Sequence, residues 1–237
     1  SIKLLTNKVE KYILESKSSF ILKSTEVNSL NIDHQKGSIT LGLKSINNLT
    51  RNLTVEKVIF TTPTSVANNL KIKNLKEKLL WSNQNYFRAY CVLIELKQSL
   101  SDYYWTNIND KEIFFCGYIE QTNLTGIEEY GGIHIAYLTK YVYERDEKLL
   151  SKKKLIEHTY NTLYKLFPKS DINSKIIKVH VSISNFAQIV NDFDFKEVES
   201  VKYSRKNIYI ANMSNLYPKE RSINNAIEIG NKIARII

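Results

Sequence analysis

Between residues 86 and 141 the sequence is a succession of apolar and aromatic runs joined by short links. Residues 86–96 form a long run and 103–107 a short one, and 112–120 and 132–141 complete the group. Consecutive strands with short links pair antiparallel, because parallel pairing needs a crossover of about a dozen residues or more. This stretch therefore predicts an antiparallel sheet. Upstream, short runs at 2–5, 9–15, 19–23, 38–45 and 55–61, broken by Asn, Ser and Gly, also read as strands. Val58-Ile59-Phe60-Thr61-Thr62-Pro63 is a buried-type strand stopped by proline, and 64–80 then takes helical spacing. Helices are predicted over 146–167, where Leu149, Ile156, Tyr160, Leu163 and Phe167 share a face ahead of Pro168, and over 222–237. Strands at 176–184 and 207–211 lie between them. The fold class is α+β, a mixed, largely antiparallel sheet flanked by helices.

A chain of 237 residues has room for one large domain or two small ones. Its net charge of +10 and its 15 tyrosines raise the question of nucleic-acid binding, in which cations neutralise phosphates and rings stack on bases. The cations are mostly scattered lysines. The densest groups, at 71–76 and 152–154, fall in segments of helical spacing and read as solvated helix faces. With no zinc-finger, RRM or KH pattern, no nucleic-acid partner is expected. No run approaches the ~18 apolar residues of a membrane span, and residues 1–5 read as a strand rather than a signal peptide. Cys91 and Cys116 sit in apolar stretches and read as buried free thiols, so a cytoplasmic protein is expected.

Familiar catalytic patterns are missing. His34, His134, His158 and His180 are far apart, none with a second ligand at metal spacing, so no metal site is expected. His134 and His180 fall in strand-like runs and read as satisfied structural residues. The informative stretch is the last: a strand at 207–211, a polar loop carrying Tyr217-Pro218, then a helix with Ser222 as its N-cap. Ala226, Gly230 and Ala234 recur every four residues, a ridge of small side chains that lets a sheet or a ligand come close. On the pattern alone the ridge reads as core packing. The free first-turn amides of such a helix also suit a group that becomes negative.

The order of residue types in this segment resembles the C-terminal flavin motif of the FAD-dependent amine-oxidase and protoporphyrinogen-oxidase superfamily. The resemblance implies that Asn212 and Met213, after Ala211, approach the ribityl chain of FAD. It also implies that Ile223, Asn224, Asn225 and Ala226 begin a helix at the flavin ring, a positive end that favours the reduced, anionic flavin. Thr6-Asn7-Lys8-Val9 resembles the family's strand in which a valine main chain meets the adenine. Thr62 and Pro63 close a strand that resembles one near the same end of the cofactor. Tyr118-Ile119-Glu120-Gln121-Thr122-Asn123, then Glu129-Tyr130-Gly131-Gly132, Tyr137-Leu138 and Ala187-Gln188, are similar to the substrate-domain signature of a bacterial branch of the family.

Three departures accompany it. Asn212-Met213 stands where the family has a glycine and an acidic residue, Ser222 where it commonly has glycine, and Gln121 where it commonly has histidine. The seven glycines, moreover, include no Gly-x-Gly-x-x-Gly, the turn that holds a dinucleotide pyrophosphate. The resemblance thus implies a C-terminal fragment of an FAD-dependent oxidoreductase whose N-terminal FAD-binding portion lies upstream or on another polypeptide. Residues 1–63 and 207–237 would be remnants of the FAD-binding domain and 64–206 the substrate-binding domain. A small-molecule substrate, a small amine or similar, would meet Tyr217, with Tyr86, Tyr104 and Trp105 as further candidates, and no general base is identified. The fragment alone is expected to be inactive and without FAD. Two alternatives stand beside this: a flavin-dependent nucleotide-sugar enzyme of the mutase kind, and a non-catalytic basic binding domain.

Overall fold

A computed structural model describes residues 2–73, 85–143, 149–191 and 207–237. The chain divides into two compact units, one of residues 1–83 and 196–237 and one of residues 84–195. The fold class is α+β, with mixed and antiparallel sheets flanked by helices.

The first unit opens with helix α1 (Ile2–Glu15), where two strands were expected. Leu5, Val9 and Ile13 recur every four residues, a helical period that the polar Thr6-Asn7-Lys8 disguises as a break. The expected strand at 19–23 is absent as well. Strands β1 (Thr25–Asp33), β2 (Ser38–Ser45) and β3 (Thr50–Val55) form an antiparallel meander. The β1–β2 turn closes on Asp33, whose Oδ1 accepts the amides of Gln35 and Lys36 at 3.0 Å each, while Gly37 takes φ +66°. Those amide bonds hold the Asp33 carboxyl below its ordinary pKa.

The expected single strand over 55–61 is divided: β3 ends at Val55, and β4 (Val58–Phe60) begins a new sheet. The long helix expected after Pro63 is the single turn α2 (Thr64–Asn68), followed by β5 (Lys71–Lys73), which pairs parallel with β1. Residues 74–80 of that expected helix lie outside the described residues.

The second unit contains a five-stranded antiparallel sheet of order β10-β6-β9-β8-β7, antiparallel as expected although the consecutive β6 and β7 are not neighbours. Its central strand β6 (Asn85–Leu96) alternates strictly between half-buried and buried positions, so Tyr86, Arg88, Tyr90, Val92, Ile94 and Leu96 share one face. Strand β7 is Trp105–Asn107 and β8 Gly117–Glu120, both shorter than their apolar runs. Helix α3 (Thr122–Thr125) and a 3-10 turn (Glu128–Tyr130) lead into β9 (His134–Tyr143).

Helix α4 (Lys152–Leu166) covers the buried face, setting Leu155 and Leu163 against Tyr90, Ile94 and Leu138. It starts later than expected because Ser151 caps it, accepting the Lys154 amide at 3.3 Å. Pro168 stops it. A short turn, α5 (Ile172–Lys175), feeds β10 (Ile176–Val190), which runs past the expected end at 184 through a bulge between Ser184 and Gln188. Ala187-Gln188 therefore lies inside this strand.

The chain returns to the first unit through β11 (Ile208–Ile210), which pairs parallel with β4 in the register Ile208↔Val58 and Ile210↔Phe60. All three β11 side chains are buried. Ile208 and Ile210 join Phe60, Leu30, Ile32 and Ile39 in one core cluster, and Tyr209 faces the other way, onto helix α6 (Ile223–Ala234). No helix among the described residues is long and apolar enough to cross a membrane.

Cys91 and Cys116 are both free, and neither is buried as expected: Cys91 is half-buried and Cys116 exposed. Replacing Ile94, fully buried among these aromatic and aliphatic groups, with Ala should destabilise the second unit by about 2–5 kcal/mol. Urea unfolding of the purified chain measures this.

Candidate functional site

Two parallel strands side by side end at the same level, and the loops that follow them can only meet. Beyond β4 come Thr62 and Pro63, and beyond β11 come Ala211, Asn212 and Met213. Asn212 joins the loops. Its Nδ2 donates to the Thr62 carbonyl at 2.7 Å, its Oδ1 accepts the Ser214 amide at 2.9 Å, and its own amide donates to Asn215 Oδ1 at 3.0 Å. The Ala211 amide donates to the Phe60 carbonyl at 2.8 Å, which carries the ladder one step past the strand. Asn215 Nδ2 is buried and has no acceptor among the described residues. A lone buried donor is costly unless an oxygen meets it.

Helix α6 starts as the sequence predicts. Ser222 Oγ accepts the Asn225 amide at 3.1 Å, and Asn225 Nδ2 donates to the Glu220 carbonyl at 2.7 Å. The amides of Ile223 and Asn224 lie ahead of the first intrahelical acceptor, and both residues are exposed. The last turn packs Ile233 against Tyr209 and Ala211, and Lys57, just before β4, donates to the Ile237 carbonyl. The last turn of the helix thus lies beside β11 and the start of β4, its first turn is exposed, and the loops of Thr62 and Asn212 leave the carboxyl ends of the two strands. Open sheets of parallel strands bind ligands at those ends.

The small-residue ridge corrects an expectation. Ala226, Gly230 and Ala234 are exposed, and a Cβ on Gly230 would meet nothing within 4 Å. The packed positions are Asn225, Ile229 and Ile233. Spacing reveals a stripe, but both stripes recur every four residues, and only the neighbours decide which is covered.

The structure thus brings Thr62, Pro63, Asn212 and Met213 together in the first unit. Ile223, Asn224, Asn225 and Ala226 form the first turn of its last helix, and Tyr217 is an exposed residue of the loop between them. Val9 is a second correction: it lies on helix α1, half exposed, so no strand main chain exists there to meet an adenine. Tyr86, Tyr104 and Trp105 belong to the second unit. Tyr86 is buried edge-on against Phe186, ring centroids 5.3 Å apart, whereas Tyr104 and Trp105 are exposed.

The second unit also holds a polar cluster that sequence reading passed over. Glu120 is completely buried. Its Oε2 accepts the Tyr118 hydroxyl at 2.7 Å and the amides of Ser101 at 3.0 Å and Leu100 at 3.2 Å. Its Oε1 faces His134 Nδ1 at 3.8 Å, and neither atom has a hydrogen-bond partner among the described residues. His134 is therefore not the satisfied residue expected, whereas His180 bonds Glu95 at 2.7 Å. The available signal was parity: Glu120 shares its strand face with the buried Tyr118.

No family model matches the chain, and no curated protein is similar to it in sequence. Among solved structures it is similar to cyclohexylamine oxidase from Brevibacterium oxydans IH-35A, with a TM-score of 0.60 and 12% identity over 93% of this chain and 49% of that one. It is also similar to an oxidoreductase from Methanosarcina mazei, with a TM-score of 0.56 and 13% identity over 88% of this chain and 48% of that one. The chain spans about half the length of each. What is shared is the fold, over part of each of those two proteins.

Burial, together with the Glu120 charge and hydrogen bond, pushes the Tyr118 phenol well above its ordinary pKa. An unfolded chain loses that proton near pH ~10, while the folded chain keeps it. The resulting stability is complete below that pH and is lost as pH rises beyond it. The urea midpoint should fall above pH ~10, and Tyr118→Phe should flatten the fall while costing about 1–3 kcal/mol at neutral pH by leaving Glu120 short of a donor.

Proposed function

We propose that this chain is the C-terminal portion of an FAD-dependent oxidoreductase. In this reading the first unit completes the cofactor site and the second supplies the sheet that receives a small-molecule substrate. The observation that carries it is the junction of the β4 and β11 loops through Asn212, beside the buried, unpartnered Nδ2 of Asn215. Adjacent parallel strands and their meeting loops together make the usual seat for a cofactor. The likeness in fold to two oxidoreductases along nearly the whole chain supports it.

The residues fit part of FAD and not all of it. The orphaned Nδ2 of Asn215 suits a hydroxyl or carbonyl oxygen, and the amides of Ile223 and Asn224 suit the electron-rich edge of the ring. The Asn212 side chain is spent within the protein on Thr62 and Ser214, so it holds the loops and leaves cofactor contact to its neighbours. No glycine turn for the pyrophosphate exists in these residues, so that contact falls to residues outside them. When bound, the flavin supplies two-electron chemistry. The first unit's share is to offer that cofactor the amides and the Asn215 donor named above.

The full-length gene product should purify yellow and release FAD on denaturation, as chromatography of the extract would reveal. Asn215→Leu should weaken flavin retention about two- to tenfold, the worth of one hydrogen bond. A colourless full-length protein that takes up no added FAD would falsify the reading and favour a binding domain without redox chemistry.

A further inference from the structure

One face of the five-stranded sheet is closed by α4, and the opposite face presents a patch of unusual composition where β7, β8 and β9 run side by side. Registered pairs show which side chains share it. Trp105 lies opposite Ile119, which lies opposite Tyr137, and one step along Asn107 lies opposite Gly117, which lies opposite Thr139. Directly opposed residues of antiparallel strands point to the same side. The outer strands of three stand about 10 Å apart. Between them Gly117 carries no side chain and is itself buried, with Thr139 Oγ1 only 3.2 Å from where a Cβ would stand. None of the six residues is charged.

Trp105 is 52% exposed, yet it is fixed. Its Nε1 donates to Asn107 Oδ1 at 2.8 Å, which sets the plane of the indole. The loop that carries it is tied down from beneath. The Glu120 amide donates to the Tyr104 carbonyl at 2.9 Å, the Glu120 carboxyl takes the Leu100 and Ser101 amides, and Asn123 Nδ2 donates to the Tyr103 carbonyl at 3.2 Å. An exposed ring held this firmly is ready to be stacked upon at little cost in order.

The chemistry of the patch selects among ligands. A purely apolar ring would strip water from Asn107, Thr139 and the Tyr137 hydroxyl without replacing its hydrogen bonds. An ammonium would find no carboxyl among the six registered residues, and Glu120 is buried beneath the other face. A ring with C–H groups on its faces and hydroxyls on its rim satisfies both the indole and the polar groups.

We propose that this patch binds a neutral hexose ring, stacked on Trp105 and hydrogen-bonded to Asn107, Tyr137 and Thr139, with Glu120 as the positioning residue for the Trp105 loop. The inference rests on the reading above that this sheet receives the substrate, and it names the substrate class. The hexose could be carried as a glycoside or as part of a sugar nucleotide.

The sequence has two tryptophans, so Trp81→Phe leaves Trp105 as the single indole. In that variant, emission is titrated with methyl β-glucopyranoside, UDP-glucose, UDP and cyclohexylamine. Saturation-transfer NMR on the unmodified chain gives a readout independent of the substitution. The expected result is saturable binding of the glucoside and of UDP-glucose, with none of UDP or cyclohexylamine. Tighter binding of UDP-glucose than of the glucoside would assign the hexose to a sugar nucleotide, and equal binding would assign it to a glycoside. Thr139→Val should weaken both about tenfold with an unchanged circular dichroism spectrum. Glu120→Leu should abolish binding, while Glu120→Gln, which still accepts the loop amides, should largely restore it.

No saturable response to either sugar at about 50 mM, equal affinity in Thr139→Val, or preference for cyclohexylamine overturns the inference. A yellow full-length protein that ignores sugars would sink this proposal alone. A colourless one that binds them would sink the flavin reading and leave a sugar-binding sheet without redox chemistry.

Discussion

Three residues of β11 hold the first unit together. Ile208, Tyr209 and Ile210 pair with Val58, Ile59 and Phe60 across about 150 positions of sequence, and every one of the three is buried. Parallel neighbours cannot be joined by a tight turn. The connection here is the whole second unit, so the pairing closes one domain around the insertion of another. Loop closure of that length is entropically unfavourable, but its cost grows only with the logarithm of length. Burial on both faces of β11 offsets it. The Asn212 bond to Thr62 follows from that pairing, because only adjacent strands end close enough for their loops to share a hydrogen bond.

The two units solve the problem of backbone polar groups in different ways. In the second, long antiparallel strands satisfy one another locally, and one helix closes the core. In the first, short strands lean on a meander, and β11 supplies core to both sides, with Ile208 and Ile210 toward the meander and Tyr209 toward the last helix. The buried Glu120 belongs to the same economy. It is tolerated because three donors converge on one of its oxygens, and they hold in place a loop that exposes three aromatic residues.

Much of this was legible in the residues. The alternation of 86–96 is the alternation of β6, Ser222 is the cap it resembles, and Pro168 ends α4 as a residue without an amide must. Misreadings arose where two periods compete over a short window. Residues 2–15 contain apolar pairs that pass for two strands, though their four-residue recurrence fits a helix. Residues 64–73 show helical spacing, yet β5 follows a single turn because β1 offers a partner edge. Glu120 gave little local warning, since a single carboxyl in an apolar run reads as a solvent-facing residue until both faces of the strand are known.

What the sequence determined by itself is local and periodic: the strands of the antiparallel sheet, two amphipathic helices with their stops, and the missing glycine turn. These depend on covalent geometry and near neighbours. Tertiary structure alone decided which stripe of α6 is covered, which face of the sheet stays open, and which carboxyl is buried. Burial is a property of what arrives from far along the chain, and no window of residues contains that information.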